Sequence, residues 1–542
     1  MTHQVEAQVQ QLLRSPSPEA VQRFFGQVTQ SSSGLEVRLD AGEAKGKGVF
    51  ATKASLTVFV SDFNAGSVLI TEPPLVGIQH NSNRTAALVC SHCFQYLGSV
   101  ETQIGVRLAA LQGEAELDGE ADGAPGRGEG VGGVADNEEL IYALLTGDLN
   151  LPLTDQVPLP EVVLCPGGCS DDKYCSERCA QAAWQQYHSL LCLGDACGGN
   201  SSSSSAINAS PQGKGKAPVV QEAAQHVESR EQRQQRLGAL HEFNDHADET
   251  NDVFLLAAKV VATVLLRAQQ VLEAAQQPGS GNINSGSAAG ATKSSNSADS
   301  SGAGNDSERG SGSGQGGGGA LEADRCWEAL LAAWEPFAMG YKAVWWQSVA
   351  LPEDVTNEDD FRQSIRQLAE DSLELLKAAI YNPRFPALFD LRVWGSIIGM
   401  FELNNLNLFV PSPIQRWQGL IEDLPDSERE VVLEDIGGLL DALSQFEEDG
   451  CEGNAFYTLQ SCLNHSCVPN AHAFKRDDDT DGSAVILALR DIRLGEEITI
   501  SYVDEDASLG QRTADLADYG FTCSCDKCCA ERLAGELHLG NQ

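Results

Sequence analysis

Eight residues able to bind a soft metal stand in four close pairs: Cys90-x2-Cys93, Cys165-x3-Cys169, Cys175-x3-Cys179 and His188-x3-Cys192. Both side chains of a pair can reach one ion, and a tetrahedral zinc takes four such ligands, so the eight provide for two sites. This constrains the fold more than any hydrophobic pattern, because segments distant in the chain must converge on the ions. A further group, Cys523-x-Cys525-x2-Cys528 with Cys529 adjacent, supplies three thiolates in regular spacing. Three cannot close a tetrahedron, and Cys467 is the natural fourth ligand.

The compartment supports the metal reading. The N-terminus has no basic start followed by an apolar stretch, so no signal peptide is expected there. The most apolar window, Val253 to Leu266, is short and carries Lys259 at its middle, which predicts a core helix and not a membrane span. A chain of the cytoplasm or nucleus is expected, where disulfides are improbable and 16 cysteines need another purpose. The net charge of −41 argues against direct binding to nucleic-acid phosphates and favours basic partners. Part of that charge lies in solvated, low-complexity tracts.

Along the chain, a short amphipathic helix is predicted around Val21 to Val28. Strand-like text follows in LEVRLD, GKGVFATKA and SVLITEPPLV, where apolar residues alternate or stand in short runs between turn residues. A Gly- and acid-rich stretch at about 113–138 reads as a disordered insertion, as do low-complexity tracts at about 198–217 and 278–319. Helices are expected over Ser229 to Gln277 and Ala320 to Tyr381. After Phe456 the text returns to short strands, AVILALRDI and EEITISYV. Strand-rich ends around a helical middle suggest one β-rich catalytic unit built from both ends of the chain.

Four further motifs occur in order. They are Gly46-Lys47-Gly48, then Asn464-His465-Ser466-Cys467-Val468-Pro469-Asn470, then Gly495-Glu496-Glu497-Ile498 running to Tyr502, and last Tyr519-Gly520-Phe521. Singly these are weak, apart from the heptapeptide; the ordered set is specific. It resembles the SET methyltransferase fold. Tyr174, Cys175, Cys179, His188 and Cys192 resemble the ending of a MYND zinc finger, so the whole resembles the SET-and-MYND (SMYD) protein-lysine methyltransferases. The phrases FYTLQSCLNHSCVPNA and YCSERCAQAAWQQYHSLLC are most similar to the divergent fifth member of that family. Only thirteen residues follow Cys529, so the C-terminal helical repeat domain of other members is expected to be missing.

The resemblance implies an α+β fold: a β-rich SET fold with a pseudoknot-like active site, an inserted MYND zinc finger, a helical insertion and a post-SET zinc cluster. The expected divisions are an N-terminal extension at 1–33, SET segments at 34–89 and 390–505, and a finger at 90–192. A helical insertion occupies 193–389, the post-SET zinc segment 506–530 and a tail 531–542. Zinc one would take Cys90, Cys93, Cys175 and Cys179; zinc two, Cys165, Cys169, His188 and Cys192; zinc three, Cys467, Cys523, Cys525 and Cys528. The Cys93-to-Cys165 gap is longer than a compact finger needs, and Cys165 to Cys169 is one residue wider than usual. His92 is not expected to be a ligand, and Cys197 falls outside the pattern.

By the same resemblance S-adenosylmethionine is the cofactor, held by Gly46, Lys47, Gly48, Asn404, Ser461, Asn464, His465, Tyr502 and Phe521. Glycines at 46 and 48 would let backbone approach it closely. Tyr502 is the catalytic tyrosine; with an ordinary pKa of about 10 it suits positioning better than base catalysis. Tyr519 would line the lysine channel and Phe521 would stack on adenine. The function implied is methylation of basic protein substrates, histone tails or ribosomal proteins, by a monomer, with proline-rich peptides as further partners of the finger. The alternative is an adaptor acting through its finger while the SET unit is degenerate; loss of Asn464, His465 or Tyr502 would have favoured it, and all three are present.

Overall fold

Short apolar runs between turns make strands such as Gly48–Ala51, Val68–Glu72 and Ala484–Ala488 of this molecule, whose structure is a computed structural model. It describes residues 2–539 except 31–33, 43–44, 53–62, 120–137, 195–228, 277–316, 341–342, 353–354, 405, 445–449 and 477. The tract expected at 198–217 therefore lies outside the described residues, as do 278–316 of the longer tract and 120–137 of the acidic stretch.

In chain order the strands are β1 (Leu35–Arg38), β2 (Gly48–Ala51), β3 (Val68–Glu72), β4 (Val76–Gln79), β5 (Val163–Leu164) and β6 (Lys173–Tyr174). Then come β7 (Leu406–Pro411), β8 (Gly450–Phe456), β9 (Asn464–His465), β10 (Ala471–Ala473), β11 (Ala484–Ala488) and β12 (Glu497–Ile500). In β12 the side chains alternate, with Ile498 and Ile500 buried and Glu497 and Thr499 half-buried, as a two-residue period demands. β12 pairs antiparallel with β2, Glu497 opposite Phe50, and parallel with β9, Thr499 opposite Asn464. The resulting order β1-β2-β12-β9 joins the two ends of the chain in one sheet. Two three-stranded sheets, β10-β11-β3 and β4-β8-β7, also mix early and late strands. Val49, Ile70, Ile486 and Ile498 fill the core under the first two sheets.

The helices are α1 (Thr2–Leu13), α2 (Pro18–Val28), α3 (Asn81–Arg84), α4 (Val100–Gly119), α5 (Glu138–Thr146), α6 (Glu177–Ala183) and α7 (Ser189–Leu191). The middle of the chain gives α8 (Arg230–Thr250), α9 (Val253–Gln276), α10 (Gly317–Ala338), α11 (Trp345–Ser348) and α12 (Glu358–Ile380). The rest are α13 (Leu391–Asn404), α14 (Pro413–Glu422), α15 (Asp426–Leu443), α16 (Leu509–Ala517) and α17 (Asp526–Leu539).

Their ends follow local chemistry. Pro18 opens α2 while the Ser17 hydroxyl accepts from the Ala20 N–H, and Ser229 and Gln232 form a reciprocal capping box on α8. α9 is apolar nearly all round and is long enough to cross a membrane, yet 67% of its most apolar window is buried inside the protein. It is the hub of the largest core, with Phe254, Val261 and Leu265 packed among Phe337, Trp394 and the finger's Tyr187. α1, which the sequence reading did not foresee, docks on this core through buried Val9 and Leu12 and a two-pronged Arg392–Glu6 ion pair at 2.8 and 2.9 Å.

The stretch between Cys93 and Cys165 carries α4 and α5. They pack with α14 and α15 around Ile104, Leu144, Trp417 and Leu439, so the long gap houses a satellite helical core. Residues 113–119 of the stretch expected to be disordered continue α4.

Candidate active site and metal centres

Three groups of four ligands converge: Cys90, Cys93, Cys175 and Cys179; Cys165, Cys169, His188 and Cys192; and Cys467, Cys523, Cys525 and Cys528. Within each, the donor atoms lie within 4.8 Å of one another. Sulfurs on one tetrahedral zinc at 2.3 Å stand about 3.8 Å apart, whereas a disulfide holds them at about 2.0 Å. The contacts Cys93–Cys175 at 3.6 Å, Cys165–Cys192 at 3.7 Å and Cys467–Cys528 at 3.5 Å match the first geometry. The donor sets and their spacing fit zinc.

Local sequence explains how the second group forms. Gly168 sits in the left-handed region at φ 85°, and a Cβ on Gly167 would lie 2.5 Å from the Cys192 sulfur and 2.7 Å from Trp184. The extra residue between Cys165 and Cys169 is thus part of a tight glycine turn that only this pair of residues permits. Helix α6 widens into a π turn over Trp184–His188, which aims the His188 Nε2 at Cys165 (3.0 Å) and Cys169 (3.4 Å). The Asp172 carboxylate stands 3.4 Å from His188 Nδ1 and fixes the ring from behind. Cys192 lies one residue beyond α7 in extended backbone, so it does not share a helix face with His188. His92 stacks on Tyr187, 6.3 Å between centroids, outside the ligand groups, and Cys197 lies outside the described residues.

The four ordered motifs meet at the β2–β12–β9 edge. Asn464 donates one amide hydrogen to the Lys47 carbonyl (2.9 Å) and one to Glu497 Oε1 (2.7 Å). Both donors are therefore used inside the protein, and the side-chain oxygen is left to accept. Gly46 has φ 74°, and a Cβ on Gly48 would meet Ala41 Cβ at 2.8 Å, Glu497 Oε1 at 2.9 Å and Asn464 Nδ2 at 3.1 Å. The Lys47 ammonium donates to the Met339 carbonyl and lies 5.2 Å from the Phe25 ring, while Lys45 pairs with Glu497 at 3.3 Å.

His465 is a fixed, neutral ring. Its Nδ1 accepts from the Tyr502 backbone N–H at 3.0 Å, which places the proton on Nε2, 3.2 Å from the Cys467 sulfur. Burial, with Arg512 and Lys45 nearby, lowers its pKa to about 4. The Tyr502 hydroxyl donates to the Leu463 carbonyl at 2.5 Å, and burial raises its pKa above the ordinary value, so it is a phenol and not a phenolate. Tyr519 lies 5.1 Å and Phe521 6.4 Å from Tyr502, while Phe521 is 5.9 Å from His465. Tyr519 and Phe521 are 39% and 38% exposed, so this aromatic cluster opens to solvent on one side.

Ser461 caps its own turn, its hydroxyl donating to the Thr458 carbonyl at 3.1 Å. Asn404 ends α13 with its amide turned back on the Met400 carbonyl at 2.8 Å. Sequence reasoning gave Glu497 no role although it stands in a quoted motif, and it missed Asp172 and Glu72. The half-buried Glu72 carboxylate accepts the backbone N–H groups of Leu459 (2.9 Å) and Gln460 (3.0 Å), holding the turn that leads into Asn464. A lone acid at a strand end carries no signal in one sequence.

A SET fold with three zinc-type ligand groups defines a class, and comparison with known proteins agrees with it. The SET domain family model matches residues 351–503. The histone-lysine N-methyltransferase ATXR2 of Arabidopsis thaliana is 39% identical over 532 residues, covering 95% of this chain and 94% of that protein. The protein-lysine N-trimethyltransferase SMYD5 of Gallus gallus is 34% identical over 175 residues, 29% of this chain and 40% of its own. The histone-lysine N-methyltransferase SET5 of Meyerozyma guilliermondii is 33% identical over 113 residues, 21% of this chain and 23% of its own. The chain belongs to the SET-domain protein-lysine methyltransferases.

Proposed function

We propose that this enzyme transfers methyl groups from S-adenosylmethionine to lysines in basic protein segments, with zinc in its three cysteine-rich centres. The convergence of Gly48, Asn464, Tyr502 and Phe521 at one sheet edge is the observation that carries the reading. Bound there, the cofactor would supply a sulfonium methyl group to a neutral lysine amine attacking in line, the N–C bond forming as the C–S bond breaks and S-adenosylhomocysteine leaves as the neutral thioether. Gly46 and Gly48 leave room for close approach of backbone, and the Asn464 side-chain oxygen suits the cofactor's ammonium. The His465 ring, engaged at both nitrogens, holds Tyr502 in place. A Tyr502 hydroxyl that stays protonated orients the incoming amine by hydrogen bonding, while Tyr519 shields the aliphatic chain from water and Phe521 is placed to stack on the adenine.

The net charge of −41 supports basic substrates, and two of the similar proteins are named for histone lysines. We propose histone tails first, with ribosomal proteins as the next candidates. Action in the cytoplasm or nucleus is supported by thiols arranged for metal, which suits a reducing compartment. Incubation of the purified enzyme with labelled cofactor, core histones and ribosomal proteins should place label on lysine in at least one of them. No lysine label with any basic protein, from a preparation that binds cofactor, would overturn the substrate class.

A further inference from the structure

Arg512 is a charged residue with only 1% of its surface exposed, a costly position unless something nearby needs its charge. It lies on α16, whose end leads directly into Tyr519 and Phe521. Its Nη2 donates to the Cys528 sulfur at 3.6 Å and to the Glu531 carboxylate at 2.6 Å, and its Nη1 donates to the Ala507 carbonyl. The guanidinium thus touches the third ligand group, α17 and the loop before α16 at once. Four thiolates around one divalent ion carry a net charge of 2−, and Cys467, Cys523 and Cys528 are buried. A single carboxylate does not account for the placement, because Glu531 is 38% exposed on its side chain and could pair in solvent.

We infer that Arg512 is the charge-neutralising partner of the C-terminal zinc-thiolate centre and the brace that holds α16, and with it Tyr519 and Phe521, against the active site. It is a positioning residue that acts through Cys528 and α17 and not on the reacting atoms. The inference rests on zinc occupying this centre. N–H donors to metal-bound sulfur hold ligands in place, and losing such a partner typically costs about 10- to 100-fold in metal affinity.

The test is zinc count by native mass spectrometry, with the rate of zinc release to a chromogenic chelator, on the full chain. Wild type should hold three ions; only two would sink the zinc reading of this centre itself. Arg512→Met should release one ion at least about tenfold faster while the two finger ions leave at wild-type rates. Arg512→Lys, which keeps the charge but not the fork, should fall between. Glu531→Gln keeps Arg512 on the sulfurs and should retain the ion, which keeps the test open if Arg512→Met does not fold. A third ion held as tightly in Arg512→Met as in wild type would overturn the inference. So would zinc loss in Glu531→Gln equal to that in Arg512→Met, because the ion pair alone would then be the brace.

Discussion

Asn464 gives one amide hydrogen to the Glu497 carboxylate at 2.7 Å, and Glu497 in turn holds Lys45 at 3.3 Å, so two late strands clamp the early glycine loop. The second Asn464 hydrogen closes the clamp on the Lys47 carbonyl at 2.9 Å. The amide cannot flip without setting its oxygen against two acceptors. Asn464→Ala should therefore weaken binding of S-adenosylhomocysteine about tenfold or more, the scale of one hydrogen bond to a charged group. Asn464→Asp, which points a carboxylate at Glu497, should be worse. Isothermal titration decides it, and a wild-type dissociation constant for both would remove Asn464 from the cofactor site.

Gly48 has no room for a methyl group, since a Cβ would collide with Ala41, Glu497 and Asn464. Gly48→Ala should lower stability by about 1–3 kcal/mol, the usual cost of overpacking, and weaken cofactor binding as well. Gly46→Ala meets no neighbour within 4 Å, but its φ of 74° is left-handed, so a cost of about 1 kcal/mol is expected. Chemical denaturation of the two variants should rank them in that order.

Tyr502→Phe removes a hydroxyl that donates to the Leu463 carbonyl and leaves the ring among His465, Tyr519 and Phe521. Most methyl transfer should disappear while cofactor binding stays measurable. Turnover at the wild-type rate would take the positioning role away from Tyr502.

Each ligand group should hold one zinc, three per chain. Cys467→Ser removes a ligand inside the heptapeptide itself, so zinc content should fall to two and methyl transfer should fall with it. Elemental analysis checks this, and three ions retained in Cys467→Ser would assign the fourth ligand elsewhere.

Lys259 reaches from the middle of α9 to the Gly77 carbonyl at 3.0 Å, with its ammonium 4.8 Å from the Tyr187 ring. Burial, opposed by Asp172 and assisted by Arg84, lowers its pKa from 10.5 to about 8. Between those values the unfolded chain binds more protons, so this residue's contribution to stability rises with pH there, and its penalty is complete below pH 8. The unfolding free energy of wild type minus that of Lys259→Met should climb between pH 8 and 10, by no more than about 1.4 kcal/mol per pH unit. A flat difference would mean that Lys259 keeps an ordinary pKa.

Sequence alone determined the chemistry that depends on short reach. A ligand pair three or four residues apart, a heptapeptide that must present Asn464 and Cys467 together, and a tyrosine at a strand end each carry their constraint within a few residues. The strands around Val49 and Ile498 were legible for the same reason, because a short apolar run and a side-chain alternation are both local. Only the tertiary structure decided which distant segments those pieces join. It set Glu497 on Asn464, Asp172 behind His188, Glu72 under the turn at Gln460 and Arg512 beside Cys528, in each case one side chain meeting a partner far away in the chain or on a different element. It also filled the gap after Cys93 with α4 and α5, whose apolar faces are satisfied by α14 and α15 from the other end of the chain. Such contacts come from packing, and a single sequence records packing only as the undirected need to bury apolar surface.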